Sequence, residues 1–167
     1  ALGELRELLR FCEVHVDDEN RFVHAAIEAR RPGASGRIAA EHVDHLAHIG
    51  DLFALADAVD AAHAENRADA AARLYRAFAS FVAENFEHML FEEVHHNAAL
   101  WAAFGDDELA AVEGALVASL PPEAMRVSGF WMLRAFNHAE RVRLVDGARR
   151  NAPPEAFEML MGLAREA

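Results

Sequence analysis

The chain has 167 residues, 53% of them hydrophobic, which suits a single helical domain built on one core. It carries 28 acidic against 16 basic residues, a net charge of -12, and no basic run longer than two, which argues against nucleic acid as a partner. No apolar run reaches the roughly 18 residues of a membrane span and no signal pattern opens the chain, so no membrane partner and a cytoplasmic location are expected.

Residues 4–30 carry Leu5, Leu8, Cys12, His15, Glu19, Phe22 and Ala26 at alternating steps of three and four, the signature of a helical face. His15 and Glu19 lie on the apolar stripe itself. Cys12, the lone cysteine, has no disulfide mate and reads as a small buried hydrophobe. The segment RRPGASG at 30–36 stops this helix, and a second starts near Arg37 with the stripe Ile38, His42, His45, Ile49, Leu52, Ala56 and Val59. His48 falls toward its flank.

The polar stretch HAENRAD at 63–69 predicts the next turn. A third stripe follows with Leu74, Phe78, Phe81, Asn85, His88, Glu92 and His95. FGDD at 104–107 ends that helix, a short helix covers 107–119, Pro121 and Pro122 open another through Arg149, and Pro153 and Pro154 open a last one. No segment alternates like a strand, so the fold class is all-α: a helical bundle forming one domain over 1–167, with its core at 4–103 and a carboxy-terminal helical extension at 107–167.

Burying a histidine or carboxylate without a partner costs several kcal/mol, so such residues rarely sit on core stripes unless paired or bound to a cation. Here three helices place them there. His15 with Glu19 and His88 with Glu92 each put an imidazole and a carboxylate four residues apart on one face, and His42 and His45 point inward between them. HVDDENRFVHAAIEA at 15–29 also aligns without a gap to HMLFEEVHHNAALWA at 88–102, which suggests two pseudo-equivalent halves facing each other. One shared metal centre explains all six residues together. Mixed imidazole and carboxylate donors suit iron, manganese or zinc, with iron favoured and a metal-free chain the alternative. Among the other histidines, His95 shares the core stripe and is a further candidate donor, His24 reads as a flank residue, and His63 and His96 read as surface residues. Charge pairs such as Asp17 with Asp18 read as solvated faces. No phosphate loop or nucleophile motif competes.

The runs HVDDENRFVHAAIEARRPG, AAEHVDHLAHIGDL and HMLFEEVHHNAALW resemble the hemerythrin-like, or HHE cation-binding, domain over roughly residues 5–103. That resemblance implies an up-and-down four-helix core holding a non-haem di-iron centre that binds or senses dioxygen, iron or a small oxidant. It makes His15, Glu19, His88 and Glu92 expected ligands. The alternatives are a di-iron enzyme of oxygen or peroxide chemistry and a metal-free interaction domain. The family pattern sets a helix with an inward histidine before each His-x-x-x-Glu helix. His45 precedes His88 by 43 residues, and no equivalent precedes His15. Either a further amino-terminal helix or another segment, with His138 its sole histidine, fills that place. A missing helix would leave an apolar face suited to a homodimer.

Overall fold

The computed structural model describes residues 1–166, and among them there are seven helical runs and no strand. Helix α1 runs Leu2–Asp18, continues through a π-helical segment Glu19–His24, and ends with Ala25–Arg30. Helix α2 is Gly36–Ala61. Helix α3 runs Ala64–Phe91, passes through a second π-helical segment, Glu92–His96, and ends with Asn97–Ala103. Then come α4 (Asp106–Ser119), α5 (Pro122–Ala135), α6 (His138–Asn151) and α7 (Pro154–Glu166). The all-α bundle expected from the sequence is therefore observed, and no helix is long and apolar enough to cross a membrane among the described residues.

The chain divides into two compact units, Ala1–Leu116 and a second from Val117 on. In the first unit, α1, α2 and α3 enclose one apolar cluster: Leu9 from α1, Ile49, Leu52, Ala56 and Val59 from α2, and Ala70, Leu74 and Phe81 from α3. Leu9, Ile49 and Leu52 are almost fully buried, each contributing about 1.5–3 kcal/mol of transfer free energy. The α1 stripe is Leu2, Leu5, Leu9, Cys12 and Val16, so Leu9 replaces the expected Leu8, which is exposed. Cys12 is half-buried against this cluster, and burial pushes its thiol upward. Helix α4 buries no residue and starts with Asp106, Asp107 and Glu108, acids that complement the positive end of the helix dipole.

Two polar devices fix the end of this unit where the histidines lie. The α1–α2 turn passes through Gly33 at φ 84°, a left-handed conformation that glycine adopts without strain. The Glu28 carboxylate accepts bonds from the Gly33 amide at 2.6 Å and from the Ser35 amide and hydroxyl at 3.0 and 2.6 Å. These bonds hold the Glu28 carboxyl down to about 2. Arg30, at the end of α1, donates to the Ala103 carbonyl and to Glu108 while its guanidinium stacks over Phe104. The ends of α1 and α3 are thereby tied together.

The break expected over 63–69 is only Ala62 and His63, because the alanines, Glu65 and Arg67 favour helix and Glu65 suits the first turn of α3. The single helix expected from Pro121 to Arg149 is two. Asn137 interrupts it with a capping box, accepting from the Glu140 amide while Glu140 accepts from the Asn137 amide. In the second unit Leu133 of α5 and Leu160 and Leu163 of α7 form the core, with Leu144, Val145 and Ala148 of α6 against it. A Cβ at Gly129 would lie 3.3 Å from Leu163, so the glycine permits the close approach of α5 and α7.

Candidate metal centre

Beyond Phe81 the interior of the first unit changes from apolar to polar. His24, His42, His45, His88, Glu92 and His96 are all at least nine-tenths buried, and Glu19 reaches the same interior. They come from the second half of α1, the first half of α2 and the second half of α3. An up-down-up arrangement brings these three stretches to one end of the bundle.

The two π-helical segments begin at the two glutamates, Glu19 and Glu92. With i→i+5 hydrogen bonds a π turn holds about 4.4 residues, so residues four and five apart share a face and residues three apart do not. His24 therefore joins Glu19 in the interior, and His96 joins Glu92. His95 turns outward and packs on Phe91 with ring centroids 4.1 Å apart. An α-helical reading puts His95, three residues from Glu92, in the core and His24, five from Glu19, at the flank, as expected from the sequence. His96, four from Glu92, faces inward in either helix type, so its expected surface position is corrected by the structure. The signal that decides His24 and His95 is the local helix type, which single-sequence periodicity does not report.

Two groups of donor atoms result, each able to hold a metal ion, with all ligand atoms in a group within 4.8 Å of one another. The first is Glu19, His42, His88 and Glu92. The second is His24, Glu92 and His96. Glu92 belongs to both. In the first group His42 Nε2 lies 3.2 Å from His88 Nε2 and 3.3 Å from Glu19 Oε2, and His88 Nε2 lies 3.4 Å from Glu92 Oε1. Donors bound at about 2.1 Å to one cation stand about 3.0–3.4 Å apart, so this spacing fits a shared ion. In the second group His96 Nδ1 is 4.0 Å from Glu92 Oε1, and His24 packs edge-on to His96 with centroids 5.1 Å apart.

Hydrogen bonding from outside fixes which imidazole nitrogens face inward. His88 Nδ1 is 3.0 Å from Glu41 Oε2, and His42 Nδ1 is 2.9 Å from Asn20 Oδ1. Both acceptors call for an N–H at Nδ1, which leaves each Nε2 lone pair directed at the interior. A carboxylate or amide behind a ligating histidine in this way orients the ring and raises its donor strength. Glu41 is itself bonded by Arg37 at 2.7 Å.

The remaining polar atoms have nothing to bond. Glu19 Oε2, both oxygens of Glu92, His24 Nε2 and both ring nitrogens of His96 are buried without a hydrogen-bond partner. Native interiors leave few such atoms, and each costs about 1–3 kcal/mol, more when charged. Their convergence on two points is what a cation would satisfy.

The titration behaviour agrees with that reading. Burial pushes His24 down to about 4, with His42 and His96 adding to the effect. Burial likewise lowers His42, His45 and His96, so these imidazoles are neutral, with lone pairs free, at neutral pH. Burial pushes the Glu19 carboxyl up to about 7, opposed by His15 and aided by Glu92. Burial also raises Glu92, but His88 outweighs it and holds that carboxyl below its ordinary value. For His88 burial is likewise outweighed: the nearby Glu92 carboxylate and the bond to Glu41 raise it. In the metal-free chain the raised Glu19 carboxyl and His88 favour protons at the same place a cation would occupy.

Of the six residues singled out from the sequence, Glu19, His42, His88 and Glu92 converge on one position. His15 is half-exposed, stacks on Phe11 and touches the cluster through Glu19 Oε1 at 3.3 Å. His45 is buried beside His88, ring centroids 4.5 Å apart, outside both donor groups. His138 is exposed in the second unit. Asp18, expected on a solvated face, is buried, with the Arg21 guanidinium 4.0 Å away.

Comparison with protein-family models, curated proteins and solved structures finds no match for this chain. What defines it is an all-α bundle with buried histidine and glutamate side chains that can hold a metal ion.

Proposed function

We propose that this chain is a non-haem metal protein of the hemerythrin-like kind, holding two iron ions that share Glu92, and that it binds or senses dioxygen or a small oxidant. The observation carrying the proposal is the shared glutamate: both Glu92 oxygens are buried and unbonded, and the residue belongs to both donor groups. Glu19, His42 and His88 would hold one ion with it, and His24 and His96 the other. An iron pair supplies electron exchange with dioxygen and similar small oxidants.

The protein's own part is to orient and to exclude. Glu41 and Asn20 hold the His88 and His42 rings with Nε2 inward. Phe81 and Ile49 give that end of the site an apolar border beside His45 and His88. The position served by His24, His96 and Glu92 has three protein donors, one fewer than the other, and such a position suits an exogenous ligand. Histidines outnumber glutamates among the donors, which favours reversible binding over the carboxylate-rich sets of oxidative ferritin-like centres.

Anaerobic loading with ferrous iron followed by admission of oxygen tests this. The expected result is a new near-ultraviolet to visible absorption that fades when oxygen is withdrawn. Continuous oxygen consumption with a reductant would assign an enzyme instead, and a chain that stays colourless and iron-free would refute the proposal.

A further inference from the structure

On the outer side of His45 and His88 the bundle surface sinks into a depression of about 350 Å³ between α2 and α3. Asp44 and His48 of α2 form one wall, and Glu84 and Glu87 of α3 form the other. His48 Nδ1 lies 2.9 Å from Glu84 Oε2, and the Ser80 hydroxyl donates to Glu84 Oε1 at 3.1 Å. Counting Glu41, four carboxylates line the depression against one cation, Arg37, which is itself paired with Glu41. A hydrated divalent cation with about six waters occupies roughly 200 Å³, and so enters with its shell intact.

The floor distinguishes this depression from an ordinary acidic surface. His45 is 94% buried, being 6% exposed, and lines the depression. Among the described residues neither of its ring nitrogens has a hydrogen-bond partner; its polar surroundings are the charges of Glu41 and Glu84 and the rings of His42 and His88. On its inner side the same ring borders a void of about 10 Å³, also lined by His15, Asn85 and His88. An apolar residue would fill this place without setting an unpaired imidazole at the floor of an acidic depression. His45 and His88 thus both line the acidic opening, but the His88 Nδ1 is taken by Glu41, which leaves His45, outside the donor groups, as the imidazole without a partner there.

We infer that the depression is a capture site for divalent cations and that His45 hands the captured ion to His88. The inference rests on the buried centre proposed above. The carboxylates raise the local cation concentration and so the rate of capture. His48 and Glu84 exchange some of the ion's waters, and the unpartnered His45 takes it inward.

Stopped-flow mixing of the metal-free full chain with Co²⁺, followed by the visible bands of the protein-bound ion, tests this step. The variant Asp44→Asn/Glu84→Gln/Glu87→Gln should load about tenfold more slowly, reach the same final cobalt content, and lose most of the salt dependence of the wild-type rate. The pair Asp44→Asn/Glu87→Gln, whose carboxylates make no hydrogen bond among the described residues, should slow loading in lesser measure and serves if the triple variant fails to fold. Glu4→Gln/Glu65→Gln/Asp69→Asn removes the same charge from the far end of the bundle and should load within about twofold of wild type. Site variants that load at the wild-type rate, or no more slowly than the far-end variant, overturn the capture site alone. A wild-type chain that takes up no cobalt overturns the buried centre and the capture site together.

Discussion

Glu19 shows at the scale of one residue how function and stability oppose each other in this bundle. Its carboxyl is raised from 4.5 to about 7, chiefly by burial, so the folded metal-free chain keeps a proton there that the unfolded chain loses. The stability it confers is therefore fully present below pH 4.5 and is lost as pH rises through about 7. His24 runs the other way. Lowered from 6.5 to about 4, it contributes stability that is present above pH 6.5 and lost as pH falls through about 4. The substitution Glu19→Gln removes only the first term. It should leave metal-free stability nearly unchanged at pH 4.5 and raise it by about 3 kcal/mol at pH 8, read by urea unfolding at the two pH values. The same substitution should weaken iron binding, since it removes an anionic donor. A variant that is no more stable than wild type at pH 8 would mean that Glu19 is not held against its charge.

At the scale of the element, the two π segments decide which histidines count. Most of the site was legible from α-helical spacing alone: His42 and His88 fall on apolar stripes, and Glu19 and Glu92 follow a histidine by four. Spacing failed where the helix type changes. His24 enters the interior and His95 leaves it because a wider turn begins at each glutamate, and nothing in residue type or period announces such a turn; His96, four residues from Glu92, was legible from spacing and misassigned. Asp18 was misplaced in the same region, immediately before the first π segment. His45 was assigned to the interior correctly, but burial and ligation are different properties, and only side-chain positions separate them. The register makes a direct prediction. His95→Ala should leave iron content unchanged, whereas His96→Ala should lower it to about half, measured on ferrous-loaded protein after gel filtration. Equal losses from the two variants, or a larger loss from His95→Ala, would restore the α-helical register.

At the scale of the molecule, the site residues all belong to the first unit, and α5, α6 and α7 have a core of their own. The fold class was readable because periodicity and proline breaks act locally. The division into two units was not, because it depends on which apolar faces meet. Metal binding should accordingly slow amide exchange in α1–α3, most around 19–24, 42–49 and 88–96, and leave α5 and α7 unchanged. Leu133→Ala should cost about 2–5 kcal/mol in the second unit without altering iron content. Exchange that slows equally in both units would show that the metal reports on the whole chain.

A centre for two cations sharing Glu92 is tested most directly by the iron content per chain of the ferrous-loaded wild-type protein beside Glu92→Ala. Wild type should hold about two ions, and the variant should lose ions from both positions and fall to well below one. A wild-type chain holding none, or a Glu92→Ala chain that keeps both, would contradict the shared centre.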